Sequence, residues 1–182
     1  MKGTDEAALV ERAKGEPEAF GELYRRYVKR IYNYHYRHTS DRVEAEDLTS
    51  RTFHKALRNL HRYQDQQGAS FQSWLFRIAH NLVVNWYRDR SRHPQVPLEA
   101  LEPLATGRGN PRQAVEKAEE HTWLLRMIDA LPEDRKTLIV LKFVEHMTNA
   151  EIGEVLGKTE GAVKALYYRT LRDLRQTAAE GE

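Results

Sequence analysis

Two sets of Lys, Arg and amide side chains recur every three or four residues, a spacing that places each set on one face of a helix. One set lies within Lys158–Arg175, which holds five Lys/Arg and two Asp/Glu, and the other lies within Arg77–Arg92, which holds four Arg and one Asp. Guanidinium and ammonium groups bind phosphates, and Arg and amide groups also pair with base edges. The chemistry that both sets predict is therefore nucleic-acid binding.

The first set belongs to a stretch that is typical of two helices joined by a tight turn. Thr148 and Glu151 can form a capping box, Gly157 can end the first helix, and Thr159 can cap the second. Val163, Leu166, Tyr167, Leu171 and Leu174 form one apolar stripe on the second helix. A basic second helix after a glycine turn indicates a helix-turn-helix, whose second helix enters the DNA major groove. A solvated helical hairpin is the alternative.

The second set follows Ser70, which can cap a helix from Phe71 to about Arg90. One face of this helix is apolar, and the other carries a row without carboxylates: Arg77, Asn81, Asn85, Arg88 and Arg92. Phe71 and Trp74 lie beside a polar loop at 61–69 and could stack on unpaired bases, as aromatic side chains do in single-strand binders. Core aromatics beneath a solvated polar face are the alternative.

Three further helices are expected before this loop. Thr4 can cap a first helix to about Lys14, Pro17 suits the start of a second that runs to about His38, and Asp41 with Glu44 can form a capping box that opens a third. The outward strip of the third helix is Glu46, Asp47, Ser50, Arg51 and His54. On its own this strip indicates an ordinary solvated face.

A change of composition divides the chain. Residues 94–114 hold four of the six prolines and lack an apolar period, which predicts an extended linker rather than a loop within a compact domain. Helix is expected again from about Val115, a further helix from Pro132, and a frayed tail from Gln176. We therefore expect an all-α protein with two small helical domains that are tethered flexibly by the linker.

Composition argues against cysteine chemistry, membrane insertion and metal binding. The net charge is only +2, there is no Cys, and no apolar run approaches the length that spans a bilayer. The N-terminus is polar, unlike a signal peptide, so a cytoplasmic protein without membrane insertion is expected. His35 and His38 share a possible helix face, but the ligand spacing of a metal site is missing and solvated histidines are expected. No metal, cofactor or catalytic residue is predicted.

The whole chain resembles the extracytoplasmic-function (ECF) group of bacterial RNA polymerase sigma factors in the sigma-70 family. The resemblance rests on four segments in order: AFGELYRRYVKRIYNY, AEDLTSRTFHKALRNLHRY, FQSWLFRIAHNLVVNWYRDRSR, and LPEDRKTLIVLKFVEHMTNAEIGEVLGKTEGAVKALYYRTLRDLR. They resemble, respectively, the first conserved sigma-2 helix, the polymerase-binding helix with its following loop, the promoter-reading helix and the sigma-4 domain. The implied organisation is a sigma-2 domain at 1–93, a flexible linker at 94–114 and a sigma-4 domain with a helix-turn-helix at 115–182.

The resemblance also implies partners and residue roles. Core RNA polymerase would dock on Glu46, Asp47, Leu48, Ser50, Arg51 and His54. The melted strand of the −10 element would be captured by Tyr63, Phe71, Trp74, Arg77, Asn81, Asn85 and Arg88. The −35 duplex would be read by Thr148, Thr159, Glu160, Lys164, Ala165, Tyr168, Arg169 and Arg172. An anti-sigma factor that covers these faces is the further partner that the family implies.

Five positions depart from the usual family pattern. Ser50 and Arg51 stand where a Gln and an acidic residue are usual, Ala162 and Ala165 replace two hydroxyl residues, and Asn85 replaces a frequent aspartate. Two other functions stay open beside transcription initiation: a freestanding helix-turn-helix regulator, and a helical adaptor that touches no nucleic acid. An enzyme is the least expected class because no nucleophile, metal or phosphate-loop constellation is present.

Overall fold

The computed structural model describes residues 2–64, 70–92, 127–128 and 130–180, and regular structure within these ranges is helical. The all-α prediction is thus confirmed. The helices are α1 (Lys2–Ala13), α2 (Pro17–Thr39), α3 (Arg42–Asn59) with a 3-10 turn (Leu60–Arg62), α4 (Phe71–Arg92), α5 (Glu133–Ile139) continued by a π-helical turn (Val140–Val144), α6 (Asn149–Leu156) and α7 (Glu160–Glu180).

Helices α1–α4 form the N-terminal module. Proline at the start of α2 is compatible with a first turn, whose N–H groups have no helical partner, and Ser40 ends the helix in the left-handed region at φ 54°. Tyr27, Ile31 and Tyr34 on α2 are fully buried against α3 and α4. These three side chains are spaced three or four residues apart, so they form an apolar stripe on α2 that lies at the centre of this module.

The start of α3 differs from the expected capping box. Asp41 caps the helix by accepting from the N–H groups of Val43 and Glu44. The Glu44 carboxylate accepts instead from the indole of Trp86 on α4 at 3.0 Å, and the Asp41 N–H donates to Thr39. A side chain expected to act locally therefore joins α3 to α4.

Helices α5–α7 form the C-terminal module. Its buried side chains include Leu138 and Leu141 before the turn, Ile152 and Val155 on α6, and Val163 on α7. These apolar positions follow helical spacing, so each helix contributes one face to the core.

The two modules pack against each other. Helix α6 lies on α4, and the apolar residues of both modules belong to one continuous buried cluster. The sequence predicted two flexibly tethered domains and gave no sign of this contact. The predicted linker at 94–114 lies outside the described residues, as does most of the helix expected from Val115, of which Met127 and Ile128 are described and helical.

Polar contacts also cross the junction, and one of them joins Arg30 on α2 to Glu145. The Arg30 Nε and Nη2 atoms lie 2.8 and 2.7 Å from Glu145 Oε2, and only 4% of the Glu145 side chain is exposed. Gln72 donates to the Glu145 carbonyl at 3.0 Å, and the His38 ring lies against the Glu133 carboxylate. A buried carboxylate thus receives its charge partner from the other module.

Several local expectations need correction. His35 and His38 were expected to be solvated but are buried, because they lie next to the apolar stripe of α2 where α3 and α5 cover them. Helix α1 begins at Lys2, before Thr4, and α7 continues to Glu180 although fraying was expected from Gln176. No helix in the described part of the chain is both long and apolar enough to cross a membrane.

Candidate nucleic-acid interface

The turn between α6 and α7 has the geometry that its sequence predicted. Thr148 and Glu151 form both arms of a capping box, and Gly157 lies in the left-handed region at φ 63°. The Lys158 N–H donates to the Gly153 carbonyl at 2.9 Å, and a Cβ on Gly153 would lie 2.5 Å from the Lys158 carbonyl oxygen. Two glycines therefore let the chain reverse tightly and fix how α7 leaves α6.

The outer face of α7 is open to solvent. Tyr168 is 71% exposed, and four further residues predicted to read DNA from this helix are also exposed: Lys164, Ala165, Arg169 and Arg172. The side chains of Val163 and Thr170 anchor the opposite face in the core. The arrangement leaves a basic and aromatic strip about two turns long free to enter a groove.

Three other residues in the predicted −35 set have structural partners. Thr148 and Thr159 use their hydroxyls to accept from backbone N–H groups at the starts of α6 and α7. Glu160 lies 2.9 Å from Lys164, and this hydrogen bond and charge raise the pKa of the Lys164 ammonium. Arg172 on α7 and Arg135 on α5 both lie beside Asp173, and the hydrogen bond from Arg135 lowers the pKa of the Asp173 carboxyl group. The exposed strip thus carries a positive charge that is only partly neutralised.

The predicted −10 set divides between surface and core. Arg77, Asn81 and Arg88 on α4 are exposed, and Asn85 is half-buried and accepts from Arg88 at 3.0 Å. Tyr63 and Phe71 are buried instead, with ring centroids 5.8 Å apart. We call the arrangement in which the two modules pack against each other the closed arrangement. In it, Phe71 supports this surface from beneath, and the amide side chains of α4 lie outside the apolar interior.

A small pocket of about 210 Å³ lies beside Tyr63 and Trp74, between α4 and the 3-10 turn. The half-buried Trp74 contributes its wall, with its ring centroid 5.2 Å from that of Tyr63. The other lining residues are Arg62, Gln64, Ser73, Arg77 and Glu154. Aromatic, amide and cationic groups at one concave point can stack on a base and bond to its edge.

The C-terminal module reaches this same region. The Ser70 hydroxyl donates to Glu151 at 2.6 Å, and Arg77 lies 3.7 Å from Glu154, both acceptors being on α6. The closed arrangement thus places carboxylates of one module beside the candidate DNA surface of the other.

The predicted polymerase-docking residues lie together on α3. Glu46, Asp47, Ser50, Arg51 and His54 are exposed, whereas Leu48 is fully buried and supports them from inside. The Arg51 guanidinium lies 3.4 Å from Asp47, so the unusual cation on this face is paired with a neighbouring carboxylate. Both groups are more than half exposed, and such a pair adds little stability.

The buried histidines have packing partners and form no metal site. Burial lowers the pKa of His35 to about 3, with a smaller contribution from His38, and His35 Nε2 lies 2.9 Å from the Thr52 hydroxyl. Burial also lowers the pKa of His80. For Glu133, burial is the largest influence and opposes ionisation, but contacts with His38, Tyr87 and Lys136 together outweigh it and the pKa is lowered. Among the described residues, no group of three His, Cys, Asp or Glu side chains could hold a metal.

Comparison with known families decides what these surfaces belong to. Residues 23–93 match the family model described as Sigma-70 region 2, and residues 121–174 match Sigma-70, region 4. The chain belongs to the sigma-70 family. The first match contains the exposed faces of α3 and α4, and the second contains the helix-turn-helix of this sigma factor.

Two curated relatives place the sigma factor in the ECF group. It is 35% identical to the ECF RNA polymerase sigma factor BldN of Streptomyces coelicolor over 91% of its length and 63% of the relative's. It is 30% identical to the ECF RNA polymerase sigma factor SigW of Bacillus subtilis over 90% of both chains. The chain thus spans less than two thirds of the first relative and nearly all of the second.

A solved structure shows the same fold. The structure of CnrH in complex with the cytosolic domain of CnrY matches 97% of the sigma factor and 99% of that chain. The TM-score is 0.69 at 21% sequence identity. The α-helical fold described above is therefore that of a solved protein.

Proposed function

We propose that this sigma factor is a cytoplasmic transcription initiation factor that binds core RNA polymerase and directs it to specific promoters. The polymerase supplies the nucleotidyl chemistry, and the sigma factor contributes DNA recognition without catalysis of its own. The observation that carries the proposal is the open basic face of α7, which follows a capped and glycine-closed turn. This geometry suits a recognition helix in the major groove.

The −35 duplex is read by α7 in this proposal. Arg169 and Arg172 can bind guanine edges or phosphates, and Tyr168 and Ala165 can contact apolar groups such as the thymine methyl. Lys164 must exchange its ion pair with Glu160 for a DNA acceptor, which costs little because both groups are about half exposed. Thr148 and Thr159 position the helices through their caps.

The −10 element is captured as a single strand at α4. Extruding a base costs a few kcal/mol, which stacking on Trp74 and hydrogen bonds from the amide row would offset. Arg77 lies at the pocket, and Asn81, Asn85 and Arg88 continue the row along α4 away from it. Tyr63 and Phe71 hold the Trp74 ring in place from the interior.

Binding both elements requires the modules to separate. At about 3.4 Å per base pair, the roughly 25 base pairs between the −35 and −10 positions span about 85 Å. A compact body of this length has a radius of gyration of about 16 Å and is about 40 Å across. A fully extended 94–114 segment reaches about 70 Å, which is enough to bridge the two elements once the modules part. The closed arrangement is therefore a state of the free protein.

Core polymerase docks on the exposed face of α3. Arg51 lies on this face with Glu46, Asp47, Ser50 and His54. Its ion pair with Asp47 neutralises one negative charge of the face. We propose that the clamp helices of the large subunit bind here. The buried Leu48 keeps the face rigid rather than contacting the polymerase itself.

A protein inhibitor is the further proposed partner. CnrH was solved with the cytosolic domain of CnrY, and this sigma factor would likewise bind an anti-sigma factor. The family and the shared fold support this proposal. Co-purification of a protein that blocks polymerase binding is the observation that would establish it.

DNA binding with and without polymerase tests the proposal. With core polymerase, the protein should protect two separate promoter segments and make bases of the downstream one reactive to permanganate. A freestanding regulator would instead protect a single duplex site without polymerase. A helical adaptor would leave all DNA unprotected in both conditions.

A further inference from the structure

A single carboxylate, Asp173, lies between two arginines where α7 faces α5. Its Oδ2 atom accepts from Nη1 of Arg135, which belongs to the first turn of α5, at 2.6 Å. Its Oδ1 atom accepts from Nε and Nη2 of Arg172, each at 3.3 Å. We call Arg135, Asp173 and Arg172 the Arg–Asp–Arg bridge. It joins α5 to a residue of the exposed strip on α7.

The bridge determines where the Arg172 side chain lies. Neighbouring side chains on a helix point about 100° apart and do not normally meet, so Arg172 must bend round α7 to reach Asp173. Asp173 does not follow Arg172 into solvent, because the shorter bond from Arg135 holds the carboxylate against α5. The Arg172 side chain is 73% exposed, and its guanidinium has further N–H groups outside this contact. Arg172 is therefore ordered and still able to bind another acceptor.

The position of Arg172 along α7 indicates which part of a duplex it would meet. It lies about twelve residues after Glu160, where α7 begins, and this is about 18 Å at 1.5 Å per residue. The major groove is about 12 Å wide, and a recognition helix contacts bases with its N-terminal residues. An arginine this far along the helix therefore lies over the phosphates that border the groove.

We propose that Asp173, held by Arg135, is a positioning residue that places the Arg172 guanidinium on one backbone phosphate of the −35 duplex. This role rests on the proposed function and adds a residue outside the predicted −35 set. An arginine loses rotamer freedom when it is immobilised at an interface, and the bridge imposes part of that loss before DNA arrives. Removing Asp173 should therefore weaken duplex binding about 2- to 12-fold.

The direction of this effect separates positioning from simple electrostatics. Wild-type and Asp173→Ala chains are each assembled with core polymerase and titrated, at one salt concentration, with a duplex that the wild-type complex selects from random sequence. Asp173→Ala removes a negative charge from a helix that faces DNA, so electrostatics alone predicts tighter binding. Positioning predicts weaker binding. Asp134→Ala is the matched control, because it removes a carboxylate of α5 whose ion pair, with Lys158 at 3.0 Å, does not include Arg172. It should not weaken binding.

Two further readouts show whether Asp173 acts through Arg172. In an Arg172→Ala background, Asp173→Ala should cause no further loss of affinity. A neutral methylphosphonate at one phosphate beside the −35 element should remove the difference between the wild type and Asp173→Ala.

Tighter binding by Asp173→Ala, or an equal loss with and without Arg172, would overturn the proposal. Asp173→Asn keeps an acceptor oxygen for Arg135 and should also weaken binding, so it replaces Asp173→Ala in these comparisons if the alanine variant does not fold. If the wild-type complex selects no duplex, the proposed function fails instead.

Discussion

The buried Arg30–Glu145 pair should control whether the two modules stay closed, and Arg30→Gln is the direct perturbation. In the closed state Glu145 is almost entirely covered, and Arg30 supplies two short N–H contacts to one carboxylate oxygen. Arg30 also lies over the rings of Tyr27 and Phe76, at 5.0 and 5.7 Å. Its removal leaves a buried carboxylate without a cation, and separation of the modules returns that carboxylate to water.

The size of the effect follows from these contacts. A hydrogen bond to a charged group contributes about 1.5–3 kcal/mol, and an unpartnered buried charge costs more than a neutral group. Arg30 is about one-third exposed, so part of its charge is already screened. We therefore expect the closed state to lose about 2–3 kcal/mol, which shifts the opening equilibrium roughly 30- to 150-fold.

Single-molecule energy transfer can measure this shift, because the chain has no cysteine and two introduced ones label cleanly. Exposed positions on opposite modules, Glu18 and Thr177, suit the dyes. Arg26→Gln is the matched control, since Arg26 lies on the same helix but contacts Glu6 and Glu22 within its own module. An unchanged distance distribution in Arg30→Gln, with helicity intact, would refute this account of closure.

Three further predictions concern single positions. Arg169→Ala should cost about 1–3 kcal/mol at one −35 base pair in a binding assay over all single-site promoter variants, if the guanidinium reads a base edge. Gly153→Ala should lower the free energy of unfolding by about 1–3 kcal/mol, because its Cβ meets the Lys158 carbonyl at 2.5 Å. Between pH 7 and pH 5, the wild type should lose about 2 kcal/mol more unfolding free energy than His35→Gln, as chemical denaturation would show.

Each of these has a control. Uniform weakening over all sequences would make Arg169 a phosphate contact. Gly161→Ala adds the same methyl group on α7 with nothing within 4 Å and should not destabilise, so equal losses at both glycines would contradict the steric argument. The folded pKa of His35 is depressed, so the unfolded chain takes up the proton first and stability falls below about pH 6.5. A parallel pH dependence in both proteins would show that His35 stays accessible to protons.

Local chemistry explains which parts of the fold could be predicted from the sequence. The capping box at Thr148 and Glu151 and the left-handed Gly157 depend on neighbouring residues, so the pattern alone located them. The exposed strip of α7 followed from the same helical period. Glu44 was placed correctly at the start of α3, but its partner Trp86 lies 42 residues away and no local pattern indicates it.

The contact between the modules was beyond sequence reasoning for the same physical reason. Arg30 and Glu145 are 115 residues apart, and in sequence each resembles an ordinary exposed charge. His35 and His38 were expected to be solvated because histidine is a polar residue. They lie beside the apolar stripe of α2, however, and become buried because other helices cover them. The roles of the DNA- and polymerase-facing residues stay predictions, since they concern surfaces that partners would cover.

The central claim is that this sigma factor gives core polymerase its choice of promoter, and reconstituted transcription tests it most directly. Core polymerase, the purified chain and fragmented genomic DNA are combined, and the 5′ ends of the transcripts are sequenced. Discrete start sites that share a two-part upstream motif, and that disappear with the Arg169→Ala/Arg172→Ala variant, are the predicted result. The same scattered starts with and without the chain would contradict the account.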